Sequence, residues 1–166
     1  LDYVQYAHDK GIMKGVGNYR FAPNEPLTRA QIAQILYAQA GSPAVSGEMK
    51  FTDVAQGSWY YNAVLWASQN GIVTGYANGM FRPNTNITRE QLARMLYAHA
   101  GTPEVSGDLN NFADGAKVSN WAKDVVIWAK EKGVIKGKTV NGKLCIDPQG
   151  NATRAEAATM MKNYLG

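Results

Sequence analysis

Apolar residues recur along the chain at helical spacing in short stretches, and each stretch ends at a glycine. Between Trp59 and Asn70, the residues Ala63, Val64, Trp66 and Ala67 follow a helical apolar spacing. Gly71 then supplies a left-handed stop, as Gly11 and Gly133 do for the matching stretches. A second stretch runs from about Arg89 to Ala100, with Leu92, Ala93, Met95 and Leu96 on its apolar stripe. Gly101 ends it, and Pro103 blocks continuation. The pattern predicts a unit of helix, long loop and helix. The loop, Gly71 to Ile87, is longer than most connections inside a compact domain, and such loops are functional or disordered. Regular Gly and Pro, with buried-type Phe21 and Phe81, favour an ordered one.

The unit recurs. Ala7 to Gly41 aligns without a gap on Ala67 to Gly101 at a constant shift of 60. Gly11, Gly15, Asn18, Phe21, Pro23, Thr28-Arg29 and Tyr37 meet Gly71, Gly75, Asn78, Phe81, Pro83, Thr88-Arg89 and Tyr97. A third copy follows with small insertions. Phe51, Asp53, Trp59, Trp66, Gly75, Pro83 and Thr88-Arg89 meet Phe112, Asp114, Trp121, Trp128, Gly137, Pro148 and Thr153-Arg154. The copies are expected over 1–41, 51–101 and 112–166, together one compact module. The counterpart of Phe51 to Trp59 in the first copy would lie before Leu1, so that copy is read as truncated. Two helices cannot bury their apolar faces alone, so each copy must pack on its neighbours.

Each second helix opens on a capping box: Thr28-x-x-Gln31, Thr88-x-x-Gln91 and Thr153-x-x-Glu156. The threonine oxygen takes an orphan N–H, and the Gln or Glu reaches back to the cap. Gln serves as well as Glu, so the position reads as structural rather than acid–base.

The motif Phe51-Thr52-Asp53-Val54, Trp59, Gly71, Gly75, Phe81-Arg82-Pro83 and Ile87-Thr88-Arg89-Glu90 strongly resembles the S-layer homology (SLH) repeat. Thr153-Arg154-Ala155-Glu156 carries that family's Thr-Arg-Ala-Glu signature in full. The resemblance covers essentially the whole chain. Departures are Gln31 and Gln91 for Glu, Ile146 for Phe, Gly115 in place of Val54, and three inserted residues in the third loop. The resemblance implies an all-α, mainly helical fold. Its three repeats would form a pseudo-threefold, three-pronged spindle, with one helix from each in a central bundle. It implies an extracellular place in a bacterial cell wall or S-layer and a non-catalytic anchoring role. The implied partner is a secondary cell-wall polysaccharide, often pyruvylated, bound in grooves between repeats; other surface-layer proteins are the further candidate partners.

A pyruvylated sugar offers a carboxylate and an apolar face. Arg29, Arg89 and Arg154 each stand first after a cap, where backbone N–H groups and the helix dipole favour an anion. An arginine adds a planar fork for a carboxylate. The alternative is an ion pair to an acid such as Asp53 or Asp114 across a repeat interface. Trp59 and Trp121 are expected as groove walls, whereas Trp66 and Trp128 read as core. Gly15, Gly75 and Gly137 either let a sugar approach the backbone or serve as turn glycines. With Asp53 and Asp114 these residues form the candidate ligand set. On this reading Arg89→Ala weakens wall binding with little loss of folding.

Composition narrows the remaining classes. The 166 residues carry a net charge of +4, with lysines thickening from Lys117 to Lys143, which suits an anionic partner or simply a solvated face. The single Cys145 allows no internal disulfide and no thiolate metal cluster. No apolar run approaches the roughly 20 residues of a membrane span. The start of the chain shows no export signal, which is expected upstream. His8 and His99 do not recur, and the Asn86 and Asn151 sequons are explained by capping threonines. No phosphate loop, calcium loop, metal spacing or cofactor motif appears, and no nucleic-acid partner is expected. A glycosidase needs paired carboxylates, and only Asp53 and Asp114 recur, so the chain reads as no enzyme. A lattice role through protein–protein contacts is the remaining alternative.

Overall fold

The computed structural model describes residues 22–166. Expectations resting on His8, Gly11, Gly15, Asn18 and Phe21 lie outside the described residues. The fold is mainly helical. Its helices are α1 (Arg29–Gln39), α2 (Tyr61–Gln69), α3 (Arg89–His99), α4 (Lys123–Glu131) and α5 (Arg154–Leu165). The inserted loop of the third copy adds a two-stranded hairpin, β1 (Lys138–Val140) and β2 (Lys143–Cys145). Asn141 and Gly142 turn it with φ of 49° and 74°, the paired left-handed geometry that an Asn-Gly turn supplies.

All three capping boxes form. The Thr28, Thr88 and Thr153 hydroxyls accept from the N–H groups of Gln31, Gln91 and Glu156, whose side chains accept from the cap N–H groups in return. The caps then meet in a closed ring. The Leu27 N–H donates to the Ala152 carbonyl (3.1 Å), Ala152 N–H to Ile87 (2.9 Å) and Ile87 N–H to Leu27 (2.8 Å). These three residues occupy the same position in the three copies, and all are fully buried. Burying Leu27 or Ile87 stabilises by about 1.5–3 kcal/mol each, so the ring sits where backbone pairing and apolar burial coincide.

Helices pair across the boundaries between copies. The second helix of one copy packs on the first helix of the next: α1 on α2, and α3 on α4. The same aromatic contact seals both pairs. Tyr37 meets Trp66 at 5.7 Å and Tyr97 meets Trp128 at 5.5 Å between ring centroids. Each tyrosine hydroxyl also donates to a proline carbonyl beyond its helix, Pro43 (2.7 Å) or Pro103 (2.8 Å). Trp66 and Trp128 are thus core residues, as their mid-helix positions predict.

Candidate functional site

The three arginines are buried rather than exposed, at 8%, 5% and 7% of their full exposure for Arg29, Arg89 and Arg154. Each helix start is plugged by the loop of another copy. The N–H groups of Arg29 and Ala30 donate to Thr85 and Pro83. Those of Arg89 and Glu90 donate to Gly150 and Pro148, and those of Arg154 and Ala155 to Glu25 and Pro23. The third N–H of each helix goes to its threonine cap. The expected anion site on free helix N–H groups is therefore occupied by protein carbonyls, because loop and helix satisfy each other across the interface. Any anion binding falls to the guanidinium groups themselves.

These groups are held from behind. Arg29 Nε donates to the Phe81 carbonyl (2.8 Å), and Arg89 Nε to that of Ile146 (2.7 Å), the residue matching Phe81. Among the described residues, neither Asp53 nor Asp114 lies within ion-pair distance of an arginine. The two Asp53 oxygens accept from the N–H groups of Phe81 (2.8 Å) and Arg82 (2.7 Å), and those of Asp114 from Ile146 and Asp147 (both 2.7 Å). Arg82 and Asp147 have φ of 57° and 54°, a rare conformation for residues with side chains. The aspartates hold these turns, so that the carbonyl before each turn meets the arginine.

Around Arg29 lies a groove of about 490 Å³. Its walls include Arg29 of the first copy, Gly75, Tyr76, Gln91 and Arg94 of the second, and Trp121 of the third. The groove therefore draws on all three copies. The Arg29 guanidinium lies over the Tyr76 ring, 5.0 Å from its centroid, and Arg82 covers the same ring at 4.3 Å. Burial, with the like charge of Arg82 adding to it, pulls the Arg29 pKa below its ordinary value against the opposing pull of Tyr76 and Asp53. Arg94 Nη1 is buried with no hydrogen-bond partner among the described residues. Among the described residues, no carboxylate lies within ion-pair distance of Arg29 or Arg94.

Trp121 is 54% exposed and sits in the short 3-10 turn Asn120–Ala122. Its approach is fixed by Glu90, which is buried at 4% exposure. The Glu90 carboxylate accepts from the Ser119 hydroxyl (2.6 Å) and N–H (3.1 Å). Trp59 is likewise 60% exposed, edge-on to Tyr60 at 5.1 Å. It lies in the turn before α2, and the Gly15 that would help form its groove falls outside the described residues.

The matching groove around Arg89 is smaller, about 220 Å³, and is bordered by Gly137, Lys138, Glu156 and Thr159. Here the ions are paired. Arg89 Nη1 meets Glu156 Oε1 at 3.1 Å, and Lys138 Nζ meets Asp147 at 2.6 Å and Glu156 at 3.3 Å. Gly75 and Gly137 line the two grooves, and their absent Cβ atoms are required by packing. A Cβ on Gly75 would strike the Phe51 ring, and one on Gly137 would come within 2.7 Å of Phe112 Cε1. Both have left-handed φ, 71° and 83°.

Tyr76 and Arg94 are groove residues that recurrence does not mark, because their counterparts Lys138 and Thr159 differ, and Gln91, whose spacing reads as a capping residue, also lines the groove. Among the described residues no cluster of His, Cys, Asp and Glu is arranged to hold a metal, and no helix is long and apolar enough to cross a membrane.

Comparison with known proteins places this arrangement. The chain is 36% identical over 162 residues to a surface-layer 125 kDa protein of Lysinibacillus sphaericus, covering 98% of this chain and 14% of that one. It is 30% identical over 168 residues to an amylopullulanase of Thermoanaerobacterium thermosulfurigenes, covering 99% and 9%. It is 26% identical over 160 residues to a cellulosome-anchoring protein of Acetivibrio thermocellus, covering 92% and 35%. The chain thus spans a minor part of the length of each. The S-layer homology domain profile matches residues 2–33, 50–93 and 111–158. With three matched segments over most of its length, the chain belongs to the S-layer homology domain family, whose place is extracellular, at the cell surface and in association with the cell wall.

Proposed function

We propose that this chain anchors an exported protein to the bacterial envelope by binding an anionic secondary cell-wall polysaccharide, pyruvylated or otherwise acidic, and that it does no catalysis. The observation that carries this is the groove in which Arg29 and Arg94 have no carboxylate partner among the described residues and face Trp121. An exposed indole offers the apolar plane for a sugar face. Two cations without counter-ions among the described residues offer donors for a carboxylate, and partial burial strengthens that attraction. Gly75 lets the backbone form part of the wall. Arg89 with Gly137, and Arg154 with Trp59 and Gly15, are the corresponding sets of two further grooves. Asp53 and Asp114 act one step removed, by holding the loops that seat the arginines. For the whole module we propose the three-pronged, pseudo-threefold spindle, supported by the closed ring of Leu27, Ile87 and Ala152.

The test is a pull-down on purified Gram-positive sacculi before and after chemical removal of the secondary polysaccharide. Binding should vanish with the polysaccharide. Binding that persists would overturn the glycan reading in favour of lattice assembly through protein contacts.

A further inference from the structure

Ser119 is held at every polar atom it has. Its hydroxyl and N–H donate to the two Glu90 carboxylate oxygens, at 2.6 and 3.1 Å. Its carbonyl accepts from the Ala122 N–H (2.8 Å) and so closes the turn that carries Trp121. Just upstream, Gln149 Nε2 donates to the Lys117 carbonyl (2.7 Å) and reaches Glu90 at 3.4 Å. Glu90 stands in the first turn of α3, where the helix dipole favours an acid. No cation lies within ion-pair distance of it among the described residues. A buried carboxylate needs donors to satisfy it, and here the segment before Trp121 supplies them. The turn carrying Trp59 is held differently. Its Ser58 hydroxyl and N–H both donate to the Ala55 carbonyl of the same turn, at 2.6 and 3.2 Å. The residues matching Glu90 in the other copies are Ala30 and Ala155, which carry no side-chain acceptor.

We propose that Glu90 is the positioning residue of the larger groove: from inside the interface between the second and third copies, it fixes Trp121 as the groove's aromatic wall. The inference rests on the glycan reading and deepens it, because it names what prepares that wall for the apolar face of an acidic sugar. A half-exposed indole on a loose turn has to be ordered when a ligand binds, and that ordering subtracts from affinity. The clamp orders it beforehand. What the clamp needs is a pair of hydrogen-bonding atoms at this position. An amide can supply them, since the Ser119 hydroxyl can turn to accept from its NH2 group while its oxygen still accepts from the Ser119 N–H. A methyl group cannot. Charge and position make opposite predictions here. Removing the Glu90 charge relieves repulsion of an incoming acid and on electrostatics alone tightens binding, whereas freeing Trp121 weakens it.

The test uses the whole chain, a methyl hexoside carrying a 4,6-linked pyruvate ketal, and the variants Glu90→Ala, Glu90→Gln and Trp121→Ala. Trp121 is followed by its indole N–H resonance, binding by calorimetry and folding by melting curves. Without ligand, the Trp121 resonance should move and broaden in Glu90→Ala and stay near the parent's in Glu90→Gln, while that of Trp59 stays in place in both. Glu90→Ala should bind the hexoside about three- to tenfold more weakly, and Glu90→Gln should bind it like the parent. In the Trp121→Ala background, Glu90→Ala should weaken binding no further, whereas a merely structural role would give the same loss in both backgrounds. A Trp121 resonance unchanged in folded Glu90→Ala, tighter binding by that variant, or equal losses in the two backgrounds would each overturn the positioning role. Should Glu90→Ala fail to fold, Ser119→Ala, which removes only the hydroxyl bond, must move the Trp121 resonance or the role falls. A parent that does not bind the hexoside would sink the glycan reading, and the indole resonances would then decide the positioning role alone.

Discussion

Arg89 illustrates how burial changes the meaning of a residue chosen from sequence. As a surface anion receptor it would be dispensable for folding. In the structure its Nε is bonded to the Ile146 carbonyl and its Nη1 is paired with Glu156, at 5% exposure. Removing one partner of such a pair strands the other, which costs about 3 kcal/mol. Arg89→Ala should therefore lower the melting temperature clearly at neutral pH. The deficit should also depend on pH. Burial alone would raise the Glu156 pKa, but the Thr153 N–H, Arg89 and Lys138 together outweigh it and hold the carboxyl below its ordinary value of 4.5. A depressed carboxyl contributes stability that is fully present above about 4.5 and is lost as pH falls through the lower folded value. The groups facing it, Arg89, Lys138 and beyond them Asp147, contain no histidine. Melting curves of parent and Arg89→Ala from pH 7 to pH 3 should converge in acid. A gap that stays constant would show that the pair contributes nothing through the ionised carboxylate.

At the level of the element, the long loop between helices is ordered because each of its ends is tied to something specific. Asp53 clamps the left-handed turn at Arg82, and the Phe51 ring fills the space left by the missing side chain of Gly75. Gly79, in the same loop, has a comparable φ of 76° but open space around it. The two glycines separate backbone strain from steric exclusion. Gly79→Ala should cost only the left-handed penalty, about 1–2 kcal/mol. Gly75→Ala should cost that and a displaced aromatic ring besides, so its melting temperature should fall further. Equal losses at the two sites would mean that Phe51 moves aside freely.

Across the whole molecule the copies are not separable beads. The start of α3 is capped by carbonyls of the third copy, α1 by those of the second, and α5 by those of the first. A chain ending at Gly101 would strip Gly150 from the Arg89 N–H, Pro148 from Glu90, Ala152 from Leu27 and Ile146 from the Arg89 side chain. We expect such a truncation to lose its cooperative thermal transition in circular dichroism. A sharp transition retained by residues 1–101 would show that two copies suffice. The same interlock explains why the larger groove takes its arginine, its glutamine and its tryptophan from three different copies.

The sequence by itself determined the elements, the family and the chemistry on offer. Periodicity, Gly stops and three capping boxes placed the helix starts at Arg29, Arg89 and Arg154, because helix initiation is a local event within four residues. The Asn141-Gly142 turn is equally local, but the sequence reading registered only an insertion there and missed the hairpin it makes. What only the tertiary structure decided is which copy's residues meet. Nothing in the spacing of Thr88 and Gly150 announces that one copy's loop plugs another's helix, since their contact depends on how the ring closes. For the same reason recurrence picked out Arg29, Arg89 and Arg154 as equals, whereas the charge at 91 and 156, seen only across the interface, divides Arg29 from Arg89.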